Sequence, residues 1–172
     1  MSTKDPGFTL IELLIVVAII GIIAAIAVPG LLRAKQSGNE ASAIASVRAV
    51  TSAQSTFASS CGGGGYAQSL SDLGKAPPGG VAFIGPDLVA GSKTGYNIAL
   101  EDGLNASDVM LAADTCNGSA ANSRTAFYIH TEPIQVGATG QRSFASNNSG
   151  TVYQLMTGAT IPNTMVGAQA LQ

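Results

Sequence analysis

The chain has 172 residues, 46% of them hydrophobic and only 10% charged, with no tryptophan and a formal net charge of −2. Such a balance argues against a general phosphate or nucleic-acid binder, and no nucleic-acid partner is predicted. The length suits one domain besides any membrane segment.

Residues 1–7 (MSTKDPG) are short and polar and end in glycine. A secretory signal places its small-residue cleavage site after the apolar core. Here Gly7 comes before it. Cleavage there would leave the hydrophobic segment on the mature chain, beginning at Phe8. Residues 8–32 hold one charge, Glu12, and one hydroxyl, Thr9. From Leu13 to Leu32, 20 consecutive residues carry no polar side chain. As a helix they reach about 30 Å, the thickness of a bilayer core. A carboxylate near the start of such a run is costly, and an intramembrane acid points to function. Pro29 removes a backbone donor, so Pro29 and Gly30 are expected to kink or loosen the helix.

Beyond Leu32 the pattern stays helical. Ala43, Val47, Val50 and Phe57 repeat at one-face spacing, with Ile44 flanking them. Four glycines, 62–65, stop the helix. Residues 33–60 carry Arg33, Lys35 and Arg48 against Glu40, a net +2, while four bases and seven acids after residue 60 make that part net −3. Cys61 and Cys116 lie in no CxxC motif, and read either as a disulfide or as two buried free thiols. A bridge would close a long loop, stabilising by about 4 kcal/mol in the chain-entropy picture. It would also imply an oxidising compartment.

Residues 66–91 read as loop, with a short helix at 69–73. Strands are expected at 95–101 and 124–131, the latter bounded by Pro133, and more weakly at 109–113. Two further runs, 142–145 and 152–156, flank a hairpin turn at 147–150. Residues 158–172 are weakly patterned. The expected class is α+β: a long N-terminal helix whose distal half packs on a small antiparallel sheet.

The run GFTLIELLIVVAIIGIIAAIAVPGLL resembles the type III signal and N-terminal helix of type IV pilins and their relatives. Gly7 stands at the prepilin-peptidase cleavage position, Phe8 follows it, and Glu12 is fifth after the cut. Gly21 and Pro29 match positions where pilin helices loosen inside filaments. The resemblance covers residues 1 to about 60 with its most specific motifs, and the later region only in outline. It implies a leader of residues 1–7, a membrane and filament-core half over 8–32, an amphipathic half over 33–60 and a globular domain over 61–172. It implies cleavage after Gly7 and N-methylation of Phe8 by a prepilin peptidase. It further implies storage in the bacterial inner membrane, then polymerisation by an assembly ATPase and a platform protein into an extracellular pilus. Glu12 would meet the α-amine of a neighbouring subunit's Phe8. A subunit supporting adhesion, twitching motility or DNA uptake is the first reading. The major pseudopilin of a type II secretion system shares the helix. A monomeric membrane-anchored binding domain is the rival of another class. The cysteines depart from the usual pilin disulfide, which closes a loop near the C-terminus.

No enzyme or cofactor is predicted. His130, the single histidine, has no second ligand at metal spacing and reads as structural. The GSKTG run at 91–95 lacks the Gly-Lys of a phosphate loop and reads as a turn. Glu101, Asp102, Asp108 and Asp114 are the acids that a calcium site would use. Asn105, Asn117 and Asn147 fit the glycosylation acceptor pattern.

Overall fold

The computed structural model describes residues 7–171. The leader, with Lys4 and Asp5, lies otherwise outside the described residues. The chain divides into two compact units, Met1–Lys35 and Gln36–Gln172. Helix α1 (Leu10–Ser60) supplies the described helical part of the first and opens the second.

In the first unit the helix has no apolar cover. Every residue from 7 to 35 is exposed, and Leu10 and Ile26 keep 81% and 76% of their accessible surface. A helix that is apolar all round demands a non-aqueous surrounding or other chains. Pro29 lies inside α1, with helical residues on both sides.

In the second unit the helix buries one face. Glu40, Ala43, Ser46, Val47, Val50, Ala53, Gln54 and Phe57 point inward. These are the apolar positions read from the sequence, joined by polar ones that periodicity does not reveal. The helix ends where the glycines begin. The Gly62 amide donates to the Phe57 carbonyl at 2.8 Å, and Gly63 turns the chain with φ +62°. Only glycine fits at 62, where a Cβ would stand 2.2 Å from the Gly65 carbonyl oxygen.

Two short helices follow, α2 (Leu70–Leu73) and α3 (Pro86–Val89). Ser69 caps α2 by accepting from the Asp72 amide. Helix α3 falls in a stretch expected to be loop. Its Pro86 occupies the first turn, where a missing amide costs nothing.

The sheet is antiparallel throughout, in the order β1-β2-β5-β6-β7-β8. Its strands are β1 (Ser92–Lys93), β2 (Tyr96–Asp102), β5 (Phe127–Pro133), β6 (Ser143–Asn147), β7 (Tyr153–Leu155) and β8 (Gln169–Ala170). A separate ribbon pairs β3 (Asp108–Met110) with β4 (Ser123–Arg124). The hairpin over 147–150 forms as expected, with Gly150 at φ +76°. The run 124–131 is not one strand. Arg124 pairs in the ribbon, the Thr125 amide donates to Ser107, and β5 starts only at Phe127. Pro133 is not outside β5 but its last residue, opposite Tyr96. The run 109–113 divides as well: β3 stops at Met110, and a 3-10 turn takes Ala112–Asp114. The weakly patterned tail contributes β8, because β7 offers it an edge to pair with.

The inner sheet face carries Tyr96, Ile98, Leu100, Phe127, Ile129 and Phe144, packed with the buried helix face. Edge-to-face aromatic pairs join Phe57 to Phe83 and Tyr66 to Phe127, at 5.4 and 4.9 Å between centroids. The outer face has a smaller cluster of Tyr128, Ala145 and Ile161. There the Tyr128 hydroxyl donates to the Ile161 carbonyl and holds the C-terminal segment down.

Candidate functional site

The site suggested by the sequence is the N-terminal segment. Phe8 is 83% exposed, two residues before the helix. Thr9 caps the first turn reciprocally with Glu12. The Thr9 amide donates to Glu12 Oε2 at 2.9 Å, and the Thr9 hydroxyl donates to the same oxygen at 2.6 Å. The Glu12 amide donates back to Thr9 Oγ1 at 3.3 Å. This is a capping box, T-x-x-E, which satisfies orphan donors at a helix start. The reading of Glu12 from its charge alone missed Thr9, although the three-residue spacing is visible in the sequence. Among the described residues no cation reaches the Glu12 carboxylate. Among these residues its negative charge is met by hydrogen bonds alone.

Gly21 and Gly30 meet no neighbour within 4 Å of where a Cβ would be, and neither does Gly7. Packing within this chain does not call for glycine at any of them. In a helix interior glycine costs roughly 0.5–1 kcal/mol against alanine.

The second unit locks the helix to the sheet at both ends. At one end, Glu40 accepts from the Gln141 and Arg142 amides at 2.9 and 3.2 Å. It also accepts from Arg142 Nε and Nη2 at 2.9 and 2.7 Å. Burial opposes ionisation of Glu40, but the Gln141 amide and the two kinds of donor on Arg142 outweigh it and hold its carboxyl below the usual range. Beside this clasp, the Tyr96 hydroxyl donates to the Arg142 carbonyl at 2.9 Å. Burial, reinforced by the Glu40 charge, pushes the Tyr96 hydroxyl up to about 12. Further along α1, the Gln54 side chain pairs with both backbone groups of Ala67, at 2.6 and 2.9 Å. At the far end the two cysteines form a disulfide, Cys61–Cys116, with Cys61 buried and Cys116 exposed.

The other residues singled out from the sequence fall into separate places. His130 is buried, stacked on Tyr128 at 5.0 Å, with Nδ1 2.9 Å from Glu132 and Nε2 3.6 Å from Glu101. Asp102 and Asp108 both pair with Arg124. Asp114 lies in the 3-10 turn. The four acids thus do not converge, and among the described residues no group of three His, Cys, Asp or Glu could hold a metal ion. Residues 91–95, expected to be a turn, instead include β1 at Ser92–Lys93, with the turn proper at Thr94 and Gly95, both at positive φ, because β2 folds back to pair with it. Asn105 is exposed, whereas Asn117 is buried and donates to the Asp72 and Lys75 carbonyls.

Residues 3–28 match the prokaryotic N-terminal methylation motif. Over 116 residues the chain is 33% identical to the Type IV major pilin protein PilA of Myxococcus xanthus (strain DK1622). In these stretches the chain is similar to type IV pilins. The alignment covers 65% of this chain and 47% of the Myxococcus protein, so the chain spans about half the length of that relative. No solved structure matches it. A long apolar N-terminal helix and an antiparallel sheet agree with the α+β pilin fold. Within this pilin-like chain the methylation motif coincides with the capping box and most of the uncovered helix.

Proposed function

We propose that this pilin-like chain is the precursor of a structural subunit of a bacterial type IV pilus. A prepilin peptidase cuts after Gly7 and methylates the amine of Phe8. The mature subunit waits in the inner membrane through residues 8–32, with residues 61–172 outside as its globular domain. The assembly platform and its ATPase then draw it into an extracellular homopolymer. Residues 33–60 carry the helix onto that domain. The chain performs no catalysis of its own.

The observation that supports this reading is the methylation motif on a helix whose first part has no apolar cover and whose one acid there, Glu12, meets no cation among the described residues. Cleavage creates the missing cation, because a methylated amine retains its charge. A Glu12–ammonium pair between subunits offsets the cost of burying each ion. Its further effect is on register, since a subunit at the wrong axial offset leaves Glu12 unpaired. Gly21, Pro29 and Gly30 are the points where the helix loosens to fit the filament. Similarity to a major pilin over 116 residues, more than the N-terminal helix holds, supports the pilus reading. Replacing Gly7 with leucine tests the proposal. The variant should retain the mass of the uncut precursor and yield no sheared filaments. A mature mass in that variant refutes cleavage at this bond.

A further inference from the structure

The loop joining β5 to β6 is uncharged from Ile134 to Gln141 and is fastened to the helix just after the apolar span. Gln36 donates to the Gly137 carbonyl and Asn39 to the Thr139 carbonyl, and Glu40 takes the Gln141 amide. Yet the loop exposes apolar side chains: Ile134 is 58% and Val136 52% accessible. Met156, 64% accessible, lies at the same end of the sheet, where β7 finishes opposite the first residue of β6. The adjoining chain touches the loop, since a Cβ on Gly158 would stand 2.8 Å from Val136.

Gln36 lies four positions after Leu32, the end of the apolar run. That step covers about 6 Å as helix and no more than about 14 Å fully extended. The headgroup zone on each side of a bilayer core is about 5–8 Å thick. The connecting residues include Arg33 and Lys35, both exposed and without an acidic partner among the described residues.

We propose that, in the membrane-held precursor, the loop between β5 and β6 docks on the bilayer surface. Ile134 and Val136 enter the boundary between headgroups and acyl chains, and Arg33 and Lys35 face anionic headgroups. This rests on the membrane-anchored reading above. Exposed apolar side chains on one segment and unpaired cations on another close to it along the chain are the two ingredients of an interfacial contact. The bilayer is preferred to a second copy as occupant because few residues of chain separate the apolar segment from Gln36, to which the loop is tied, and because the loop is uncharged from Ile134 to Gln141. The contact holds the globular unit against the membrane until extraction, when the apolar residues become free to meet neighbouring subunits.

The absence of tryptophan supplies a clean reporter. The full chain carrying Val136→Trp is reconstituted in vesicles of phosphatidylglycerol and phosphatidylcholine, with or without bromine on the acyl chains near the glycerol. Ile20→Trp reports on the span. Val81→Trp, at a position 84% exposed, reports on the aqueous face. Thiol titration checks that Cys61 and Cys116 remain bridged in each variant, and Ile134→Trp repeats the measurement at a second loop position. Bromine should roughly halve the emission at 136 and shift it to the blue, as for an interfacial residue, while leaving 81 unchanged. Emission at 134 and 136 no more quenched than at 81 overturns the docking, as does a blue shift without bromine quenching, which marks contact with protein. Quenching of Ile20→Trp by deeply brominated lipid alongside those results leaves the membrane anchor standing. No quenching at 20 removes the anchor itself, and the docking with it.

Discussion

Replacing Glu40 with glutamine removes a charge shared by four donors: the amides of Gln141 and Arg142 and two guanidinium nitrogens of Arg142. The Glu40 side chain is 10% exposed and that of Arg142 30%. Breaking a fully buried pair costs about 3–5 kcal/mol. Arg142 keeps its bond to Gln154 and some water, which lowers the expected loss to about 2–3 kcal/mol. Glutamine also turns a donor toward groups that are all donors. The measurement is urea unfolding of the full chain in detergent, followed by tyrosine near-ultraviolet dichroism, with the midpoint falling and the slope unchanged. The pH dependence has a definite sign. Glu40 is held below its usual range in the folded chain, while an unfolded glutamate titrates near about 4.3. Its stabilisation is complete above that value and disappears as pH falls through the lower folded one. The gap between parent and variant should therefore close in acid. A difference under about 0.5 kcal/mol at neutral pH, the scatter of ordinary surface substitutions, refutes the clasp. So does a difference that persists unchanged well below pH about 4.

Exchanging both cysteines for serine should cost at most about 4 kcal/mol, read as a lower urea midpoint, because the bridge spans a sequence separation of 55 residues. An unchanged midpoint would contradict that. Gly140→Ala places a Cβ 1.9 Å from the Tyr96 hydroxyl oxygen, displacing the bond to Arg142, and should lower stability by about 3 kcal/mol in the same assay. Glu12→Ala and Thr9→Val separate capping from pairing. Both break the capping box, but only Glu12→Ala should depress filament yield while leaving the mature mass normal; equal losses in the two variants would reduce Glu12 to a helix cap.

Ala43, Val47, Val50 and Phe57 were legible in the sequence because helical periodicity is local, and the glycines after Ser60 announced the helix end. The capping box was equally local, its two ends only three positions apart, yet the cost of the charge drew attention away from Thr9. Glu40 was different. It looked like one acid on a basic stretch, and its donors lie 101 and 102 residues away. No window of sequence contains both. The same holds for Gln54, whose carboxamide replaces a backbone partner for Ala67. Strand β8 exists because β7 presents an edge, and α3 because Pro86 starts a turn that Leu88 can bury.

The apolar run from Leu13 to Leu32 determines its own behaviour: a helix with no polar side chain over 20 residues is driven out of water, whatever follows it. Composition and spacing suffice for that, since hydrophobic burial is roughly additive along the chain. Tertiary structure alone decides how the second unit is locked, which cysteine is buried, and that the loop between β5 and β6 is fastened to the helix at Gln36 and Asn39. Those features depend on groups far apart in sequence meeting at hydrogen-bond distance, and such meetings are set by packing rather than by local pattern.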